Sequence, residues 1–140
     1  MSYRETLAAE HRACDAEFAK VEQAAHAGDW SAAGLAARSF VDQTEHHLRY
    51  EEEVLFPALE RATPMATGPT SMMRFEHAQM RELFTQLLDA VAGQDAAALA
   101  DSVETLLLLM QQHNAKEENV LYPIADSTLP PDLPRPTDNQ

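Results

Sequence analysis

Histidine, three residues, then a doubled glutamate is written twice in this chain, as HLRYEE from His47 and HNAKEE from His113. Each copy runs on into valine, leucine, an aromatic residue and proline, ending at Pro57 and Pro123. Imidazole and carboxylate are donors for a divalent or trivalent cation, and residues four apart on a helix lie one turn above each other. His47 and Glu51 therefore aim into one space, and so do His113 and Glu117. The same stripe continues through Phe40, Thr44, Val54 and Leu55 on one helix, and through Leu106, Met110, Val120, Leu121 and Ile124 on the other. Those neighbours are mostly apolar, which makes this the core face. An inward histidine taken alone is an ordinary core residue. Two facing carboxylates in a core are not: unpaired burial costs several kcal/mol each, and they repel one another. Something positive belongs between them.

The two copies are part of a longer repeat. His11 and His77, His47 and His113, Glu51 and Glu117, and Pro57 and Pro123 all stand at one constant offset of 66 residues. Phe18 and Phe84 keep the same offset and continue the inward stripe from His11 and His77. The candidate metal-ligating set is thus His11, His47, Glu51, His77, His113 and Glu117, drawn from four helices. Imidazole with carboxylate and no thiolate suits iron, manganese or zinc, and argues against copper(I) or an iron–sulfur cluster. Two six-coordinate ions have about twelve ligand positions. Four histidines fill four, two bridging carboxylates fill four more, and a bridging oxide or hydroxide takes two. That leaves roughly one open position on each ion for a small ligand.

Several residues beside this set also repeat. Glu52 and Glu118 match, as do Glu10 and Glu76, but each lies about 100° around its helix from the neighbouring ligand. They are expected to orient a ligand or to form ion pairs. His26 and His46 have Ala92 and Gln112 as counterparts and are expected at the surface or behind a ligand. Cys14, opposite Met80, and Tyr122, opposite Phe56, are expected to pack.

Four helices must position these side chains. Ser2 and Glu5 form a capping box that starts the first, which should run to about Ala27 and stop at Gly28. Asp29 caps a second helix from Trp30 through Arg61, bent or loosened near its end by Pro57. The stretch Thr63 to Pro69 is a break, and a third helix should start at Thr70 or Ser71 and end near Gly93. Asp95 repeats the part of Asp29 and caps a fourth helix, Ala96 to Asp126. Short connections between long amphipathic segments predict an all-α, up-down-up-down four-helix bundle of two helix pairs related by a pseudo-twofold axis. The domain should span residues 1–128, followed by a proline-rich tail, 129–140, with little to bury and expected to be extended or mobile.

Composition bounds the function. The chain has 140 residues, 45% of them hydrophobic, and a formal net charge of −13. A body that acidic repels phosphate backbones and anionic lipid, so neither nucleic acid nor a membrane surface is an expected partner. One cysteine excludes an internal disulfide, and no apolar run is long enough to span a bilayer. A cytoplasmic location is the resulting expectation.

The motifs Glu10-His11, HLRYEEEVLFP from His47, Glu76-His77 and HNAKEENVLYP from His113 resemble the hemerythrin-like (HHE) cation-binding domain across residues 1–126. The resemblance implies a four-helix bundle with a non-haem di-iron centre, the six residues above as ligands, and the two glutamates bridging. Zinc and manganese are admitted by the same donors. Ferritin-like di-iron bundles use Glu-x-x-His, but Ala8, Thr44, Arg74 and Met110 precede the four histidines by three positions, so that pattern is missing. Oxygen-carrying hemerythrins place a further histidine four residues before the third-helix ligand, where this chain has Met73, with Leu7 as its counterpart. A more symmetric and more open site is expected, one that binds, senses or reacts with O2, peroxide or nitric oxide rather than storing oxygen. The alternatives are storage or delivery of iron or another metal, and slow turnover of peroxide or nitric oxide. Binding or sensing ranks ahead of a dedicated enzyme, and the redox partner is unknown.

Overall fold

The computed structural model describes residues 1–136. All its regular elements are helical, arranged as a four-helix bundle. Helix α1 is Tyr3–His26 and α2 is Trp30–Tyr50; after one widened turn, Glu51–Leu55, the same rod continues as α3, Phe56–Ala62. A short 3-10 turn leads into α4, Thr67–Ala92. The second half repeats the first: α5 is Ala96–Lys116, a widened turn covers Glu117–Leu121, and α6 is Tyr122–Thr128. No helix among the described residues is long and apolar enough to cross a membrane.

Local chemistry accounts for the ends. The Ser2 hydroxyl accepts from the Glu5 amide at 3.0 Å while the Glu5 carboxylate accepts from the Ser2 amide. Asp29 and Asp95 cap α2 and α5 identically, accepting from Ala32 and Ala98 at 3.0 Å. The residues before these caps close the preceding helices with positive φ, Gly28 at 74° and its repeat partner Gln94 at 52°. The interhelix break is shorter than expected. Helix α4 begins at Thr67 because Pro69 falls in its first turn, where a missing amide costs nothing.

The expected bends at Pro57 and Pro123 take a definite form. In both widened turns the backbone amide of the residue before proline reaches back five positions: Phe56 to Glu51 and Tyr122 to Glu117. A proline inside a regular helix loses one hydrogen bond and clashes with the carbonyl four residues earlier. A π-turn opens the ladder by one residue and relieves both. Val120, expected on the inward stripe, is 48% exposed, whereas its counterpart Val54 packs against the core.

The core lies in two clusters with the site between them. Phe18, Phe40, Phe84, Leu87 and Leu106 anchor one cluster. Tyr3, Leu7, Phe56, Leu59, Met73 and Tyr122 anchor the other. Along each rod the candidate ligands fall where one cluster gives way to the next. The proline-rich segment up to Pro136 folds back over the second cluster rather than leaving the body. Tyr50 donates its hydroxyl to the Pro134 carbonyl at 2.7 Å, the His46 ring donates to the Pro136 carbonyl at 2.8 Å, and Arg135 lies 3.8 Å over the Tyr3 ring. Leu129 and Leu133 pack beneath. The rest of the tail, 137–140, lies outside the described residues.

Candidate metal centre

The six residues expected to ligate converge on the bundle axis, each 5% exposed or less. They form two adjoining groups, His11–His47–Glu51–Glu117 and Glu51–His77–His113–Glu117, in each of which the donor atoms lie within 4.8 Å of one another. Glu51 and Glu117 belong to both groups, one oxygen to each side. The pseudo-twofold is visible in the rings: His11 and His47 are 4.7 Å apart at 54°, His77 and His113 are 4.9 Å apart at 54°. The aromatic residue that follows each widened turn stacks on the histidine of the opposite pair, Tyr122 on His11 and Phe56 on His77, both at 5.7 Å.

The repeated outer glutamates form a closed ring of brackets. Glu10 of α1 holds His47 Nδ1 of α2 at 2.8 Å, and Glu52, after α2, holds His77 Nδ1 of α4 at 2.8 Å. Glu76 of α4 holds His113 Nδ1 of α5 at 2.8 Å, and Glu118, after α5, returns to His11 Nδ1 of α1 at 2.7 Å. An ionised carboxylate only accepts, so every Nδ1 carries a proton and every Nε2 is turned inward, where a cation would replace any proton it holds. That is the tautomer a metal-bound imidazole requires, and this outer carboxylate is the usual partner that fixes it.

The donor set fits a cation. Glu51 Oε1, His77 Nε2, His113 Nε2 and Glu117 Oε2 are buried without a hydrogen-bond partner. Glu51 Oε1 and His77 Nε2 lie 3.2 Å apart, as do Glu117 Oε2 and His113 Nε2, but the approach is not that of a hydrogen bond. Buried orphan groups of this kind cost about 1–3 kcal/mol each unless something fills the space they share. Burial works against charge on these groups, and pairing overcomes it. The His47 imidazole holds the Glu51 carboxyl well below the usual range, while Glu51 and Glu10 raise His47 well above its ordinary value. Glu117, with Glu51 and Glu76 behind it, pushes His113 up to about 9.

Several residues depart from the sequence-based expectation or fill it in. Tyr122 does not merely pack: its hydroxyl lies 2.6 Å from Glu51 Oε2 and 2.9 Å from Glu117 Oε1. It is also 3.1 Å from His11 Nε2 and 3.3 Å from His47 Nε2. Phe56, its partner, has no hydroxyl, so the expected symmetry of the two positions is broken. Met73 and Leu7 are buried apolar residues, as a missing histidine ligand leaves them. Cys14 is buried beside the site and helps to line a small, partly open cavity of about 20 Å³ with Thr44, Met80, Met110, His47 and His113.

No curated protein and no solved structure gave a match to the chain. The sequence model of the hemerythrin HHE cation-binding domain matches residues 3–125, nearly the whole bundle and every residue of the centre. The chain belongs to that family.

Proposed function

We propose that this bundle holds two iron ions and uses them to bind or sense a small oxidising or diatomic molecule: O2, peroxide or nitric oxide. Iron would be held by His11, His47, Glu51, His77, His113 and Glu117, and would supply electrons to such a ligand. The observation that carries this reading is the cavity against His47 and His113. At about 20 Å³ it has room for one or two heavy atoms and none for an organic substrate. Thr44, Cys14 and the two methionines wall that space beside the bracketed histidines His47 and His113.

Storage or delivery of metal is the weaker reading. Every candidate ligand is buried, which works against ready release of an ion to an acceptor. Slow turnover of peroxide or nitric oxide shares the same geometry and is separated by stoichiometry. The test loads the protein with ferrous iron without air, counts the metal, and records the optical spectrum as O2, peroxide or nitric oxide is added. Two irons per chain and a saturable spectral change at one ligand per centre support binding or sensing. Many turnovers per centre would point to an enzyme instead. An iron-loaded protein whose spectrum ignores all three ligands would sink the proposal.

A further inference from the structure

The two halves of the centre differ in ways that the repeat does not require. We infer that Tyr122 is a further ligand, as phenolate, to the ion held by His11 and His47, and that the two metal positions are therefore chemically distinct. This rests on the di-metal reading above.

Distances carry the inference. Ligand atoms about 2.1 Å from one ion and at right angles to each other stand about 3.0 Å apart. The Tyr122 oxygen is 2.6, 2.9, 3.1 and 3.3 Å from four donor atoms that share one group. Around that group, His11 Nε2 to Glu117 Oε1 is 3.1 Å and His47 Nε2 to Glu51 Oε2 is 3.5 Å. An oxygen 2.6–3.3 Å from four such atoms stands where it could serve as a fifth donor to an ion held among them. On the other side Phe56 offers only carbon, and there the orphan atoms of Glu51, Glu117, His77 and His113 converge with no further donor from the aromatic position.

Charge supports the same division. Behind His77, the Arg81 guanidinium grips Glu52 through two bonds of 2.9 Å, and behind His113 the Lys116 ammonium pairs with Glu76. The repeat counterparts of Arg81 and Lys116 are Asp15 and Tyr50. Among the described residues no lysine or arginine pairs with Glu10 or Glu118, the brackets behind His47 and His11. The Tyr122 side is thus the more negative, which favours the more highly charged ion. Ligation replaces the hydroxyl proton with the ion, and that proton leaves to solvent.

Tyr122→Phe tests this, because Phe56 shows that a phenyl ring packs at the matched position. With wild type and variant matched for helix content by circular dichroism, ferric iron is loaded and zinc is titrated calorimetrically in buffers of different ionisation enthalpy. Ferric wild type should show a phenolate-to-iron charge-transfer band with tyrosinate ring vibrations in resonance Raman, both lost in the variant. Zinc should bind wild type at two sites, with one weakened ten-fold or more by the substitution, the other unchanged, and one fewer proton released. A ferric wild type without tyrosinate vibrations, a variant that keeps them, or equal zinc binding by both proteins overturns the inference and leaves the di-metal reading standing. A wild type that binds neither ion overturns both.

Discussion

Each candidate histidine has its Nδ1 fixed by a carboxylate from a neighbouring helical rod, so orientation and basicity depend on residues beyond the six candidate ligands. Glu10→Gln keeps the shape and removes the charge behind His47. It should weaken metal affinity about 10- to 100-fold with helix content unchanged, which competition against a chelator will read. An unchanged affinity would mean that the bracket is only an ion pair. The six inward residues were legible because i, i+4 spacing and a constant offset are properties of sequence alone. Tyr122 was not, since five residues of regular α-helix place it about 140° away from Glu117. The widened turn closes that angle, and the only hint was Pro123, read as a bend rather than as an extra residue in the ladder. The outer glutamates were recognisable as orienting groups. Which histidine each would serve was not, because Glu10 serves His47 and not its neighbour His11.

At the scale of the element, the turns between paired helices show what the repeat conserves and what it leaves strained. Gly28 takes φ of 74° without penalty, whereas Gln94 holds φ of 52° with a β-carbon in the way. Gln94→Gly relieves left-handed strain of about 1–2 kcal/mol and loses about 0.5–1 kcal/mol of chain entropy, so it should stabilise the fold by up to about 1 kcal/mol, seen as a small rise in melting temperature with no change in metal content. A lower melting temperature would show that the Gln94 side chain contributes more than its backbone costs. The helix caps were readable from single residues, Ser2, Asp29 and Asp95. The start of α4 was not, because Thr-Gly-Pro looks like a loop until a helix is there to place Pro69 in its first turn.

Across the whole molecule, metal and protons compete for the same lone pairs. Without metal, His113 titrates at about 9 against an ordinary 6.5, and His47 is shifted the same way. A raised imidazole pKa stabilises fully below the unfolded value, and the gain is lost as pH rises through the folded one. The metal-free protein should therefore melt lower at about pH 9.5 than at about pH 6, with up to roughly 3 kcal/mol from His113 alone. His47→Ala with His113→Ala should flatten that slope, and a chelator should no longer lower the melting temperature of the variant as it lowers that of loaded wild type. A metal-free melt that rises with pH would contradict the assignment of these pairs. Removing residues 129–140 should uncover Tyr3 and Tyr50 and destabilise the bundle by about 1–3 kcal/mol while leaving the metal count intact. The brackets have one more consequence. Two of the four lie within a helical hairpin, Glu10 to His47 and Glu76 to His113, and two join the hairpins, Glu52 to His77 and Glu118 to His11. A single hairpin of about half this length, meeting a second copy of itself, has all the information needed to build the complete ring. Fusing the copies into one chain is what frees them to diverge, and the hydroxyl that separates Tyr122 from Phe56 is a difference that no symmetric dimer could carry.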